Sequence, residues 1–237
     1  MPDRWRIFST KLRRSSDTGR QKKKQCIAIA ASTVPAQYLL PELLAKFNGK
    51  NIRESSCGFG RWTAPRWWSR CQSTRQISAL QEPFWEKKHC RYIPFYRDEM
   101  VIIAPNSGRY QAIDRTSGDI SWICQEAMLM REEGSGTRKE AERQLAELGI
   151  LPQQLNIMAS IGNQETIKKS VIQGLGISIL SNLAVREEVE DGKLLAFSVP
   201  SERSGRDINV VYNKNYQLSK SAKRFLRTVK EAYKVKE

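Results

Sequence analysis

The feature that most limits the possible folds is a local unit that occurs three times: a short apolar run, a loop of hydroxyl or glycine residues, then a helix start. Cys26-Ile27-Ala28-Ile29-Ala30-Ala31 is an uncharged β-type run with the length of a buried strand. It ends at Ser32-Thr33, with Pro35 just beyond. A hydroxyl there can cap free N–H groups, and the proline falls where no N–H is needed. Tyr38, Leu39, Leu43, Leu44 and Phe47 follow at helical spacing, with Pro41 implying a break or a fresh helix start among them.

The unit recurs without being a sequence repeat. Ala127-Met128-Leu129-Met130 leads into Arg131-Glu132-Glu133-Gly134-Ser135-Gly136-Thr137, where Thr137 and Glu140 form a capping box for a helix carrying Ala141, Leu145 and Leu148. Asn156-Ile157-Met158-Ala159-Ser160 leads through Gly162-Asn163-Gln164 into a helix ending near Gly174, followed by the strand Ile177-Ser178-Ile179-Leu180. Further strands are expected at Glu99–Ala104 and Ile208–Tyr212, and an amphipathic helix at Ser219–Tyr233 with Ala222, Phe225, Leu226 and Val229 on its apolar face. Alternation of strand and helix implies α/β layers and a mostly parallel sheet.

Charge bears on function through its placement. The net charge is +15, which in general favours polyanions. Met1–Lys24, with Arg13, Arg14, Arg20, Lys22, Lys23 and Lys24, shows no sustained apolar period and reads as a disordered basic arm. From Arg97 to Arg186 acids and bases nearly balance, as on the surface of a binding domain. No run of about eighteen apolar residues and no signal-peptide pattern occurs, so no membrane association is expected. Cys26, Cys57, Cys71, Cys90 and Cys124 are scattered, with no C-x-x-C pair and a single histidine, His89. That usage fits a reducing cytoplasm, with no metal site and no cofactor.

One stretch departs from the pattern. Asn51 to Trp68 has neither period, and four of the six tryptophans fall between Trp62 and Trp85. A long surface loop is one reading, although so long a structureless segment is uncommon in a compact domain. A shifted reading frame between Asn51 and Trp85 is the other. Because tryptophan has a single codon, Trp67-Trp68 read two nucleotides late gives valine at their junction, and Trp62-Thr63 gives aspartate. Permitted codons extend this to a string with an amphipathic helix and a strand, which nucleotides unable to encode it would exclude.

The motifs together resemble the effector-binding domain of LysR-type transcriptional regulators. The resemblance rests on Ile27 to Thr33 running into Tyr38–Leu44, on Arg131-Glu132-Glu133-Gly134-Ser135-Gly136-Thr137-Arg138, and on Glu165–Lys169 running into Gly174-Leu175-Gly176-Ile177. It covers roughly Gln25–Lys50 and Lys87–Val235. It implies a fold of two α/β subdomains around a cleft, like a type 2 periplasmic binding protein. The first subdomain would hold 25–94 and 200–237, with 51–85 irregular, and the second 95–199. It also implies a small-molecule effector, homo-oligomers, and DNA binding through a winged helix-turn-helix head. Met1–Lys24 is too short for that head, so the chain reads as a truncated regulator.

Within such a fold three helix starts present free N–H groups and a positive dipole end toward one site, which suits a small anion. The candidate effector contacts are Ser32, Thr33, Ser135, Gly136, Thr137, Asn163 and Gln164. Taken singly, Ser32, Thr137 and Asn163 are more readily explained as helix caps; occurring together after strands, they favour a ligand site. No catalytic residue is expected, since Ser135 lacks the G-x-S-x-G elbow and a triad partner, and Gly134–Thr137 lacks the lysine of a phosphate loop. His89-Cys90 reads as a surface pair. A solute-binding protein of a transport system and a nucleic-acid binder acting weakly through the basic arm are the alternatives to a regulator.

Overall fold

The computed structural model describes residues 25–48, 55–61, 77–80, 89–114, 118–201 and 205–235. The basic arm over Met1–Lys24 lies outside them, as do 49–54, 62–76 and 81–88 of the aperiodic stretch.

Strand β1 (Gln25–Ala31) leads through a π-helical turn (Pro35–Leu39) into α1 (Leu40–Asn48), and β2 (Ser55–Arg61), β3 (Ile77–Leu80) and β4 (Cys90–Asp98) follow. The chain then makes β5 (Met100–Pro105), a single turn α2 (Gly108–Gln111), β6 (Ala127–Arg131), α3 (Gly136–Glu147) and β7 (Asn156–Ile161). Next come α4 (Gln164–Ile172), β8 (Ile177–Ser181), α5 (Asn182–Glu190) and β9 (Leu194–Ser198), before β10 (Arg206–Asn213) and α6 (Lys220–Ala232) close the chain. These strands form two sheets, ordered β2-β1-β3-β10-β4 and β7-β6-β8-β5-β9.

The sheets share one plan. β1 runs parallel to β2 and β3, as β6 does to β7 and β8. β10 is antiparallel to β3 and β4, as β5 is to β8 and β9. Four of the five strands in each sheet thus run one way, as expected of a mostly parallel sheet, but β10 and β5 run against them and give each sheet two parallel and two antiparallel pairings. The reason lies in β5 and β10, which enter each sheet directly from the other without the helical crossover that parallel pairing needs.

Local chemistry explains several boundaries. Pro41 has no N–H to donate and its ring crowds the preceding turn. The helix widens just before it, and the Leu40 N–H reaches back to the Pro35 carbonyl. The expected capping box at Thr137 and Glu140 does not form. Gly134, at φ +82°, turns the chain earlier, so Ser135 becomes the N-cap and Thr137 the second helical residue. Glu140 instead pairs with Arg143 and Gln144. In β4, the register against β10 slips between Ile208, opposite Tyr96, and Asn209, opposite Pro94. A bulge there accommodates a proline within a paired strand.

Burial follows the plan. Ile27, Ile29, Leu39, Leu43 and Phe47 meet Phe225 and Val229 of α6 on the first sheet, with the Phe225 ring edge-on to Phe47 at 5.5 Å. The second sheet is covered on both faces. Ile102, Met128, Met130, Leu145 and Ile179 pack on one side, and Ile103, Leu129, Ile167, Leu180 and Val185 on the other. Among the described residues no helix is long and apolar enough to cross a membrane.

Candidate functional site

The chain passes between the sheets twice, at Glu99 and between β9 and β10, and a buried ion pair ties the crossings together. Arg206 donates to one Asp98 oxygen from Nε at 3.0 Å and from Nη2 at 2.8 Å, while Ser181 Oγ donates to the other at 2.6 Å. Asp98 and Arg206 are both buried, so each charge depends on the other. Gly205 enters the crossing at φ +87°, where a Cβ would lie 2.9 Å from the Asp98 carbonyl oxygen. Only glycine fits that approach.

The candidate contacts lie at the carboxyl ends of the parallel strands, on this same side of the sheets. After β1, Ser32 accepts the Ala36 N–H on its carbonyl at 2.9 Å, but its hydroxyl oxygen is shut off from solvent and has no partner among the described residues. It caps nothing. Thr33 follows half-buried in the first turn. After β6, the Ser135 side chain makes no capping bond, Gly136 opens α3, and buried Thr137 lies with Oγ1 3.5 Å from Arg206 Nη2. After β7, Asn163 is a genuine cap, accepting the N–H groups of Glu165 at 2.8 Å and Thr166 at 3.4 Å.

Gln164, 1% exposed, bridges the two units. Its amide nitrogen donates to Gln37 Oε1 at 2.6 Å and to the Tyr38 hydroxyl oxygen at 3.1 Å, while its own Oε1 is buried without a partner among the described residues. Tyr38 in turn donates to Glu165 Oε1 at 2.9 Å. Burial, reinforced by the Glu165 hydrogen bond and charge, holds the Tyr38 pKa well above the usual phenol range, so the hydroxyl keeps its proton. Lys168, also buried, sits 3.0 Å from Glu165 and 2.7 Å from Glu188. Arg131, at the end of β6, is 3% exposed; it bonds Glu132 through Nε and Nη2, and its Nη1 has no partner among the described residues.

The structure thus brings the helix start led by Ser32 to the one led by Gln164, and sets Thr137 on the crossing pair. It assigns Asn163 to capping. Sequence reasoning missed Gln37, Arg131, Asp98 and Arg206, and took Tyr38 for part of an apolar face. The partners of Gln37, Tyr38, Asp98 and Arg206 lie far along the chain, so no local spacing marks them.

A separate open pocket of about 560 Å³ is lined by Pro105, Asn106, Arg109, Gln173, Gly174 and Lys193. It lies at the opposite end of the second sheet, since Met100 pairs with Ser181 whereas Ile103 pairs with Ser178, toward the start of β8. Three of its polar side chains already have protein partners: Asn106 bonds Gly192 and Gln111, Lys193 pairs with Asp191, and Arg109 with Glu126. Unmatched buried atoms favour the crossing side over this pocket.

Residues 77–234 match the LysR substrate binding domain model. The chain belongs to the LysR substrate-binding domain family. The HTH-type transcriptional regulator CysL of Bacillus subtilis (strain 168) is 27% identical over 207 residues, 87% of this chain and 67% of the relative. The HTH-type transcriptional activator CmpR of Synechocystis sp. is 32% identical over 132 residues, 56% of this chain and 42% of the relative. The chain thus spans at most about two thirds of the length of these LysR-type relatives. The CcmR regulatory domain of Synechocystis PCC6803, solved in complex with 2-PG, matches at a TM-score of 0.73 and 24% identity over 88% of this chain and 97% of that one. The effector binding domain of QuiR, solved in complex with shikimate, matches at 0.74 and 16%, covering 89% and 97%. The two-subdomain LysR effector-domain fold is thereby established for this chain.

Proposed function

We propose that this chain is the effector-sensing part of a LysR-type transcriptional regulator and binds a small anion between its two subdomains, without making or breaking a bond. The observation that carries this is the pair of buried, unmatched side-chain atoms, Ser32 Oγ and Gln164 Oε1, at helix starts that Gln37 and Tyr38 bring together. Free N–H groups at helix starts favour an anion. The buried Arg131 guanidinium, with Nη1 unmatched at the end of β6, adds positive charge on the same side.

Binding there would bias closure about the two crossings, at Glu99 and ahead of β10. In a homo-oligomeric regulator with a DNA-binding head, that closure would alter how the oligomer holds DNA. Such a protein would act in the cytoplasm.

A thermal-shift screen of the full chain with sulfate, selenate and small carboxylates tests the reading. A ligand at a hundredfold excess over its Kd stabilises the folded state by about 2.7 kcal/mol. The expected result is a saturable rise in melting temperature with at least one anion. A flat response to every anion, with calorimetry equally flat, would contradict it.

A further inference from the structure

The Gln164 amide has only one orientation that satisfies its surroundings. Tyr38 gives its hydroxyl proton to Glu165, so toward Gln164 the phenol oxygen can only accept. The atom of Gln164 facing Tyr38 must therefore be the nitrogen. That nitrogen has two hydrogens, and the second goes to Gln37 Oε1. Both donors are spent, and what remains is Oε1, an acceptor in a residue only 1% exposed.

An acceptor fixed and desolvated in this way selects for a donor. We infer, resting on the anion site proposed above, that the effector is an organic anion that also carries a hydrogen-bond donor, a hydroxyl or an ammonium, directed at Gln164 Oε1. A fully deprotonated inorganic oxyanion such as sulfate satisfies the helix starts and leaves Gln164 unmatched. A site built to bond a ligand hydroxyl discriminates strongly against the analogue lacking it, because the protein group is then buried alone. Ser32 Oγ can donate or accept, so it binds either kind of ligand and contributes no such selection.

The test compares matched acids that differ by one hydroxyl, malate with succinate and lactate with propionate, by calorimetric titration of the full chain. The hydroxylated member of a binding pair should be about tenfold tighter. Gln164→Leu should reduce that ratio to about one while the deoxy member still binds. Tyr38→Phe, a milder change that frees the Gln37 and Gln164 amides to turn together, should narrow the ratio without affecting folding. Equal affinity for both members in the unmodified chain overturns the donor requirement and leaves the anion site standing. Failure of both members of every pair, while sulfate or selenate binds, also overturns the donor requirement alone. Failure of every anion overturns both.

Discussion

The two sheets have the same strand plan but are assembled differently from the chain. The second is built from one segment, Met100 to Ser198, and is packed on both faces chiefly by residues of that segment, with Val199 and Tyr38 added at its edges. The first is started by β1 and completed only when β10 and α6 return from the far end, bringing Ile208, Val210, Phe225 and Val229 to Ile27 and Ile29. Contacts within one segment close short loops, while contacts between chain ends close long ones. The second unit is therefore expected to hold its structure when the first does not.

The largest expected effect follows from the core of the first sheet. Phe225→Ala should cost about 4 kcal/mol in denaturant unfolding, because Phe225 is fully buried against Phe47 and β1. The contrast predicts that native-state amide exchange then accelerates in β1, β10 and α6 while β5, β6 and β8 stay protected. Loss of protection in both sheets together would show that they form one cooperative unit.

Next in size is the tie between the halves. Arg206→Met leaves the Asp98 carboxylate buried and unpaired, which should cost about 3 kcal/mol. Adding Asp98→Asn should recover part of that loss, since the uncompensated charge is then gone. No recovery in the double variant would mean that shape at the crossing, and not the ion pair, fixes the subdomains.

The helix starts differ in a way that stability measurements can resolve. Asn163→Ala should cost about 1 kcal/mol, because Asn163 satisfies two backbone N–H groups. Ser135→Ala should cost far less, because its side chain makes no capping bond. Equal losses would indicate that both side chains serve as caps and would weaken the case for Ser135 as a ligand contact.

These contrasts also show what the sequence could and could not reveal. The runs behind β1, β6 and β7 were legible because each is uncharged or apolar and ends in a loop that starts a helix, and β8 was legible as an apolar run after Gly176. The final helix was legible from Ala222, Phe225 and Val229 at helical spacing. β4 was not, because Pro94 argues against a strand and only the bulge opposite β10 admits it. β2 was not, because Ser55 to Arg61 carries no period and takes its register from β1, Gln25 opposite Ser55 through Ala31 opposite Arg61. At the site, Ser32, Thr137 and Gln164 stood out as loop residues. The partners that give them meaning, Gln37, Tyr38 and Arg206, lie on other elements and become visible only in three dimensions.

A smaller effect separates the sheets by pH. Burial and the Glu126 hydrogen bond push the Tyr110 pKa in the second unit up to about 12 from the ordinary 10. The folded state therefore retains a proton that the unfolded chain releases, and the stability that Tyr110 adds, complete below pH 10, is lost as pH rises toward 12. Tyr110→Phe should flatten that part of the decline. An unchanged slope would assign it to Tyr38 and Tyr233, whose pKa values are also raised by burial.

Amide exchange with and without the anion that most raises the melting temperature tests the central claim most directly. The account predicts slowed exchange at the N–H groups of Thr33, Val34, Gly136, Thr137, Arg138 and Gln164, at the starts of the helices on the crossing side of both sheets. Protection confined instead to residues around Asn106, Gln173 and Lys193, at the opposite end of the second sheet, would contradict it.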